Sequence, residues 1–156
     1  MSVKSIGFFF VFFAVYSQPF SANYCVRAGA NGDNSGRDWN NAFQTLPVTL
    51  QRGSTYYIAA GNYRRYVFDD TEVDSHTITI VKATSDNHFT DSGWIDSFAN
   101  QVVFTDTIGP VFEFRRGYYI VDGMTGKGTG IHGIRAYNPA NIAPTKGGCV
   151  AAVFSN

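Results

Sequence analysis

The sequence predicts an all-β chain, its strands joined by tight turns behind one short helix, and three observations carry that expectation. Glycine is abundant, at 16 of 156 residues against ~7% in average usage. Beside Tyr, Val, Ile and Thr it favours strands closed by tight turns. Helical periodicity is confined to residues 38–53; after Gly53 only short apolar runs and turn residues follow. Ile58 to Ile80 and Ile80 to Val102 are each 22 residues apart, the length of one coil of a β-solenoid. Spacing alone leaves a β-sandwich open, because its short strands recur every ~8–12 residues.

The chain divides into a leader and one domain. Lys4 precedes an apolar run from Ile6 to Tyr16, and "SQPFSA" follows. Eleven residues are too few for the ~30 Å hydrocarbon core, so the pattern reads as a secretory signal over residues 1–22. Cleavage after Ala22 places a small residue last but leaves Phe20 at the third position back; cleavage after Ser17 competes with it. The mature chain, 23–156, carries no apolar run long enough to span a membrane. It holds both cysteines, Cys25 and Cys149. In an oxidising compartment they could join, or each could be a separate buried thiol, and the sequence leaves both open.

Composition narrows the function classes. Lys plus Arg and Asp plus Glu are both 12, so the formal charge is zero. That removes the usual electrostatic basis for nucleic-acid binding. At 44% apolar and 15% charged the chain is too hydrophobic to be disordered.

The elements follow in order. Tyr24–Ala28 reads as a first strand, and "GANGDNSGRD" after it as a turn-rich loop. Asp38 is placed to cap a helix. Trp39, Ala42, Phe43 and Leu46 recur at i, i+3, i+4 and i+7, one apolar helix face. Pro47 limits or restarts that helix and Gly53 ends it. Strands are then expected over Thr55–Gly61, Arg65–Phe68, His76–Ala83, Gln101–Phe104, Val111–Phe114, Tyr118–Gly123, Gly130–Asn138 and Cys149–Phe154.

The run from Tyr24 to Tyr63 decides between solenoid and sandwich. Its strand, its loop with Gly29, Gly32 and Gly36, its Trp39-led helix, Gly53, the "YYIA" strand and the Gly61–Tyr63 "GxY" turn resemble the entry of secreted right-handed parallel β-helix proteins of the pectin-lyase-like superfamily. The resemblance implies a right-handed parallel β-helix with a short N-terminal capping α-helix, the cap spanning 23–55 and the coils 56–156. An amphipathic helix would shield the open end, where unpaired strand edges recruit other chains. About four and a half coils of 22 residues would fit in what remains. The sequence stops inside a strand-like run, "CVAAVFSN". The expectation is therefore an N-terminal portion of a longer protein, or a partner covering the last coil.

The same resemblance implies activity on acidic polysaccharides, by Ca²⁺-assisted β-elimination or paired-carboxylate hydrolysis; the alternative is a non-catalytic extracellular carbohydrate-binding or adhesion module. Elimination needs a base facing a groove, and calcium needs oxygen ligands. Arg115, Arg116, Lys127 and Arg135 are the late bases and Asp122 the nearby acid, although Asp122-Gly123 and Gly126-Lys127-Gly128 also read as turns. Asp69, Asp70, Glu72 and Asp74 crowd "FDDTEVD", and Asn31, Asp33, Ser35 and Asp38 crowd the first loop, with solvated-loop and turn readings beside the calcium one. His76, His88 and His132 are scattered and form no zinc signature. "GMTGKGT" lacks the spacing of a phosphate loop and no Gly-x-Ser-x-Gly elbow is present. No catalytic residue can be assigned from these. Tyr56, Tyr57, Tyr63, Tyr66, Tyr118, Tyr119 and Tyr137 offer stacking faces for sugars. Strand alternation requires one of Tyr56/Tyr57 and one of Tyr118/Tyr119 to face inward.

Overall fold

The computed structural model describes residues 21–123, 133–139 and 150–152. Its strands are β1 (Asn23–Val26), β2 (Thr55–Ile58), β3 (Gly61–Arg64), β4 (Tyr66–Phe68), β5 (Ile78–Lys82), β6 (Val102–Thr105), β7 (Phe112–Phe114), β8 (Tyr119–Asp122), β9 (Ile134–Tyr137) and β10 (Val150–Ala152). Among the described residues the one helical element is a single 3₁₀ turn, Asp96–Ala99, and no helix is long and apolar enough to cross a membrane.

Among the described residues all strand pairs are parallel. They form three sheets, ordered β1-β2-β5-β8, β3-β6-β9 and β4-β7-β10. The chain visits the sheets in rotation, so β2, β3 and β4 are followed by β5, β6 and β7 one step along each sheet, then by β8, β9 and β10. Parallel neighbours cannot be joined by a hairpin and need a crossover. Here the crossover from β2 to β5 is itself made of strands belonging to the other two sheets. The result is an all-β, parallel architecture compatible with a β-solenoid.

One core serves all three sheets: Tyr56, Ile58, Ile78 and Ile80 from the first, Tyr63, Val102 and Phe104 from the second, and Tyr66, Phe68 and Phe112 from the third. Alternation places these residues inside, and register stacks them at the ~4.8 Å strand spacing. Tyr24 lies on Tyr56 at 5.0 Å, Tyr63 on Phe104 at 5.2 Å and Phe68 on Phe114 at 4.3 Å. The inward tyrosines satisfy their hydroxyls at the corners. Tyr63 donates to Ala59 O (2.9 Å) and accepts from Ala28 N–H (3.1 Å). Tyr66 donates to Pro47 O at 2.5 Å. Burial pushes the hydroxyl pKa of Tyr56 and Tyr63 up to about 12.

Three expectations are corrected. No capping α-helix exists over 38–53. Trp39 and Ala42 enter one cluster while Leu46 and Leu50 enter the main core, so the i, i+3, i+4, i+7 set does not share a face. The backbone groups a helix would use are engaged by β1 instead. Phe43 N–H donates to Cys25 O (2.9 Å), Arg27 N–H to Phe43 O (2.8 Å) and Cys25 N–H to Gly36 O (2.7 Å). Covering of the outer β1 edge is thus done by extended chain, with Phe43 opposite Val26. Second, the "GxY" turn is strand β3, paired with β6 from Gly61↔Val102 onward. Gly61 there takes φ +153° and a Cβ would stand 2.9 Å from Ala28 Cβ. Third, the 22-residue coil fails. Tyr56 opposes Ile80 in the first sheet, whereas Val102 lies in the second opposite Gly61. Long connections lengthen the coils, and the described residues hold three strand triplets where about four and a half coils were expected.

Candidate ligand-binding site on the outer face of the first sheet

Alternation turns Cys25 and Tyr57 away from the main core. There they meet a second cluster with Trp39, Ala42, Trp94 and Phe98, brought in by the Gly36–Phe43 segment and by the long connection between β5 and β6. Cys25 is a buried free thiol whose pKa burial pushes up to about 12; Cys149 lies outside the described residues.

The β5–β6 connection is tied down at several points. Thr84 and Asn87 exchange backbone hydrogen bonds (2.9 and 3.2 Å). The Trp39 indole N–H donates to His88 O (3.1 Å), and Trp39 N–H donates to Ser92 O (3.0 Å). The His88 ring stacks on Trp94 at 4.2 Å. Its Nδ1 faces Thr84 O at 3.0 Å and its Nε2 faces Asp91 Oδ1 at 2.7 Å. At the loop's inner end Lys82 is buried, its ammonium donating to Ala83 O and, at 3.0 Å, to Phe98 O. Burial lowers its pKa from 10.5 to about 8.

Between these anchors the backbone doubles back at Phe89. Thr90 N–H donates to His88 O (2.7 Å) across Phe89, which has φ +65°. This three-residue turn of γ type is rare and strained for a residue with a Cβ. It holds the Phe89 ring out, 44% exposed, stacked on Tyr57 with centroids 5.8 Å apart and planes at 22°. Around the pair lies an open depression of ≈ 430 Å³ lined by Asn23, Tyr57, Asp86, Asn87, His88, Phe89, Thr90 and Asp91. Chemically it offers an aromatic platform, amide and hydroxyl hydrogen-bonding groups, and two carboxylates.

The residues singled out from sequence are placed elsewhere, Tyr57 and His88 excepted. Arg115 Nε bonds Glu113 at 2.8 Å, and Glu113 also holds Arg65 at 2.7 Å; the Glu113 carboxylate raises the Arg115 pKa. Arg116 lies 3.7 Å from Glu72. Arg135 stacks over Tyr137, and Asp122 stands opposite Val81 at the end of β8. Lys127 and His132 lie outside the described residues. The "FDDTEVD" carboxylates diverge. Asp70 accepts from Leu50 N–H (2.7 Å) and Tyr119 OH (2.9 Å), and Glu72 accepts from Gly117 N–H (2.9 Å), which lowers its pKa. Asp69 is exposed, and Asp74 sits at φ +51°.

In the first loop, Asp33 accepts from Ser35 N–H (3.1 Å) and Asp38 from Asn41 N–H (2.8 Å); hydrogen bonds from the Ser35 and Asn41 side chains, with these backbone bonds, lower the two pKa values. That is the turn reading of the loop. His76 Nδ1 is 3.1 Å from Val73 O. Among the described residues no three His, Cys, Asp or Glu side chains are grouped to hold a metal ion. The tyrosine alternation holds: Tyr56 is inward and Tyr57 outward, Tyr119 inward and Tyr118 exposed.

Sequence reasoning missed Phe89, Asp86 and Asp91. The available signal was length, because a structureless connection beyond ~12–15 residues inside a small domain is usually functional. Lys82 and Arg52 were missed too. Arg52 is buried, donating to carbonyls of Asp70, Thr71, Gly117 and Tyr118, with its guanidinium over Tyr119.

Comparisons of the chain with family models, with curated proteins and with solved structures give no match.

Proposed function

We propose that this chain is an exported right-handed parallel β-helix whose outer face binds glycan without turning it over. The observation that carries the reading is the Phe89–Tyr57 pair, a strained and exposed aromatic platform set among amides, hydroxyls and carboxylates. Sugar rings present apolar faces to aromatic rings and hydroxyls to polar neighbours. The polysaccharide-processing reading keeps only the resemblance of residues 24–63 behind it; Arg115 and Arg116 are engaged by Glu113 and Glu72.

Retention on insoluble glycans and titration with soluble oligosaccharides test the proposal. Phe89→Gly removes the ring yet suits the backbone at φ +65°. It is expected to weaken binding by roughly 10-fold or more, the ~1.4 kcal/mol scale of one lost stacking contact. Tyr57→Ala is expected to act in the same direction. Unchanged retention in both variants overturns the platform. Release of unsaturated or reducing sugar ends would show turnover and overturn the non-catalytic reading.

A further inference from the structure

Resting on the glycan-binding reading of this site, we infer that its ligand carries protonated amino groups: a cationic aminosugar polymer, where the sequence suggested an acidic one. The charge of the depression supports this. Its lining holds two carboxylates, Asp86 and Asp91, beside the His88 imidazole, two amides and two hydroxyls, and neither lysine nor arginine. Asp86 is exposed. The Asp91 side chain is 99% exposed although Oδ1 meets His88, so the rest of the carboxylate faces solvent.

The nearby arginines of the covering segments are committed elsewhere. Arg27 Nε donates to Trp39 O (3.0 Å) with its guanidinium over Phe98, and Arg37 pairs with Asp33 at 3.1 Å. A uronate would set its carboxylate against like charges, with neither lysine nor arginine in the lining to offset them. An ammonium on a sugar ring is met twice, by the carboxylates and by the electron-rich faces of Phe89 and Tyr57. Neutral glycans can stack and donate hydroxyl hydrogen bonds to the carboxylates but bring no charge to offset theirs.

Calorimetric titration of the protein with hexamers of glucosamine, N-acetylglucosamine and galacturonate tests the inference. The glucosamine hexamer is expected to bind at least ~10-fold tighter than the acetylated one. At ~1 M salt, where the Debye length falls to ~3 Å, that advantage should vanish. It should vanish as well in the Asp86→Asn/Asp91→Asn double variant, whose fold is checked by circular dichroism and thermal unfolding. Equal affinity for the two glucosamine forms, or preference for galacturonate, overturns the charge inference and leaves stacking intact. If no hexamer binds, the glycan reading itself fails. If oligolysine binds as tightly and Phe89→Gly does not weaken it, the site recognises ammonium on peptides, and the aminosugar assignment falls.

Discussion

Phe89 and Lys82 show what single residues cost this chain and what they supply. At Phe89 the γ-type turn holds an aromatic residue in left-handed backbone, at a cost of ~1–3 kcal/mol. Phe89→Gly relieves that strain. It loses the Tyr57 stack, ~0.5–1.5 kcal/mol, and gains unfolded-chain freedom. The variant is therefore expected to melt within a few degrees of the parent, measured by thermal unfolding. By contrast Phe68→Ala empties a core position packed by Phe112 and Phe114 and should cost ~3–5 kcal/mol. A large loss of stability in Phe89→Gly would make the ring structural and remove the reason to read it as a platform.

Lys82 makes a separate prediction at the same scale. Its folded pKa is depressed to about 8 from 10.5, so between those values the unfolded chain binds a proton that the folded chain does not. Stability contributed by this group is therefore low at neutral pH and increases as pH rises through about 8. The opposing groups act higher. Cys25, raised to about 12 from 9.0, keeps its proton when folded and destabilises only above the unfolded thiol value. Melting temperature is expected to climb from about pH 7 to about pH 9, and Lys82→Met should flatten that rise. A flat profile in the parent protein would mean that the ammonium is solvated.

At the level of elements, the N-terminal edge bears on processing. Ala22 continues the β1 ladder: its carbonyl accepts from Thr55 N–H (2.9 Å) and its N–H donates to Ser54 Oγ (3.3 Å). Cleavage after Ala22 would strip both bonds from the edge of the first sheet, whereas cleavage after Ser17 keeps them. If the leader is removed as proposed, N-terminal sequencing of the mature chain should begin at Gln18; a start at Asn23 contradicts this.

The same scale shows how much of the fold could be read in advance. Ile78/Ile80 and Val102/Phe104 alternate cleanly, and those strands were legible because alternation reports burial of one face. The all-β class and the parallel stacking were legible too. Strand β3 was hidden, since "GNYR" buries one side chain fully, Tyr63, and opens on a glycine that reads as a turn. The expected helix at Trp39–Leu46 misled because its apolar spacing serves two different clusters; periodicity records that residues are buried, and not against what. Of the site, alternation required one of Tyr56 and Tyr57 to face outward without saying which; the structure makes it Tyr57. Phe89 was not legible, because a single aromatic in a polar loop carries no period, and the loop around its turn is held by distant Trp39, which donates to His88 O and Ser92 O.

Over the whole molecule, the rotation of the chain through three sheets separates two tasks. The common interior uses register-stacked aromatic and branched side chains for stability, which leaves the outer face of the first sheet free to be built upon by the β5–β6 connection. That division allows a strained loop on a rigid support, the usual way in which binding residues are positioned. The central claim is that ligand binds on that loop and against Tyr57. Amide and aromatic NMR shifts of the labelled protein, followed while glucosamine hexamer is added, test it most directly. The account predicts saturable changes centred on Tyr57, Asp86, Phe89 and Asp91, with the interior signals of Ile58, Phe68 and Phe104 unmoved. Saturable changes centred instead around Arg64, Arg65 and Glu113 on the other two sheets, or none at all, would contradict it.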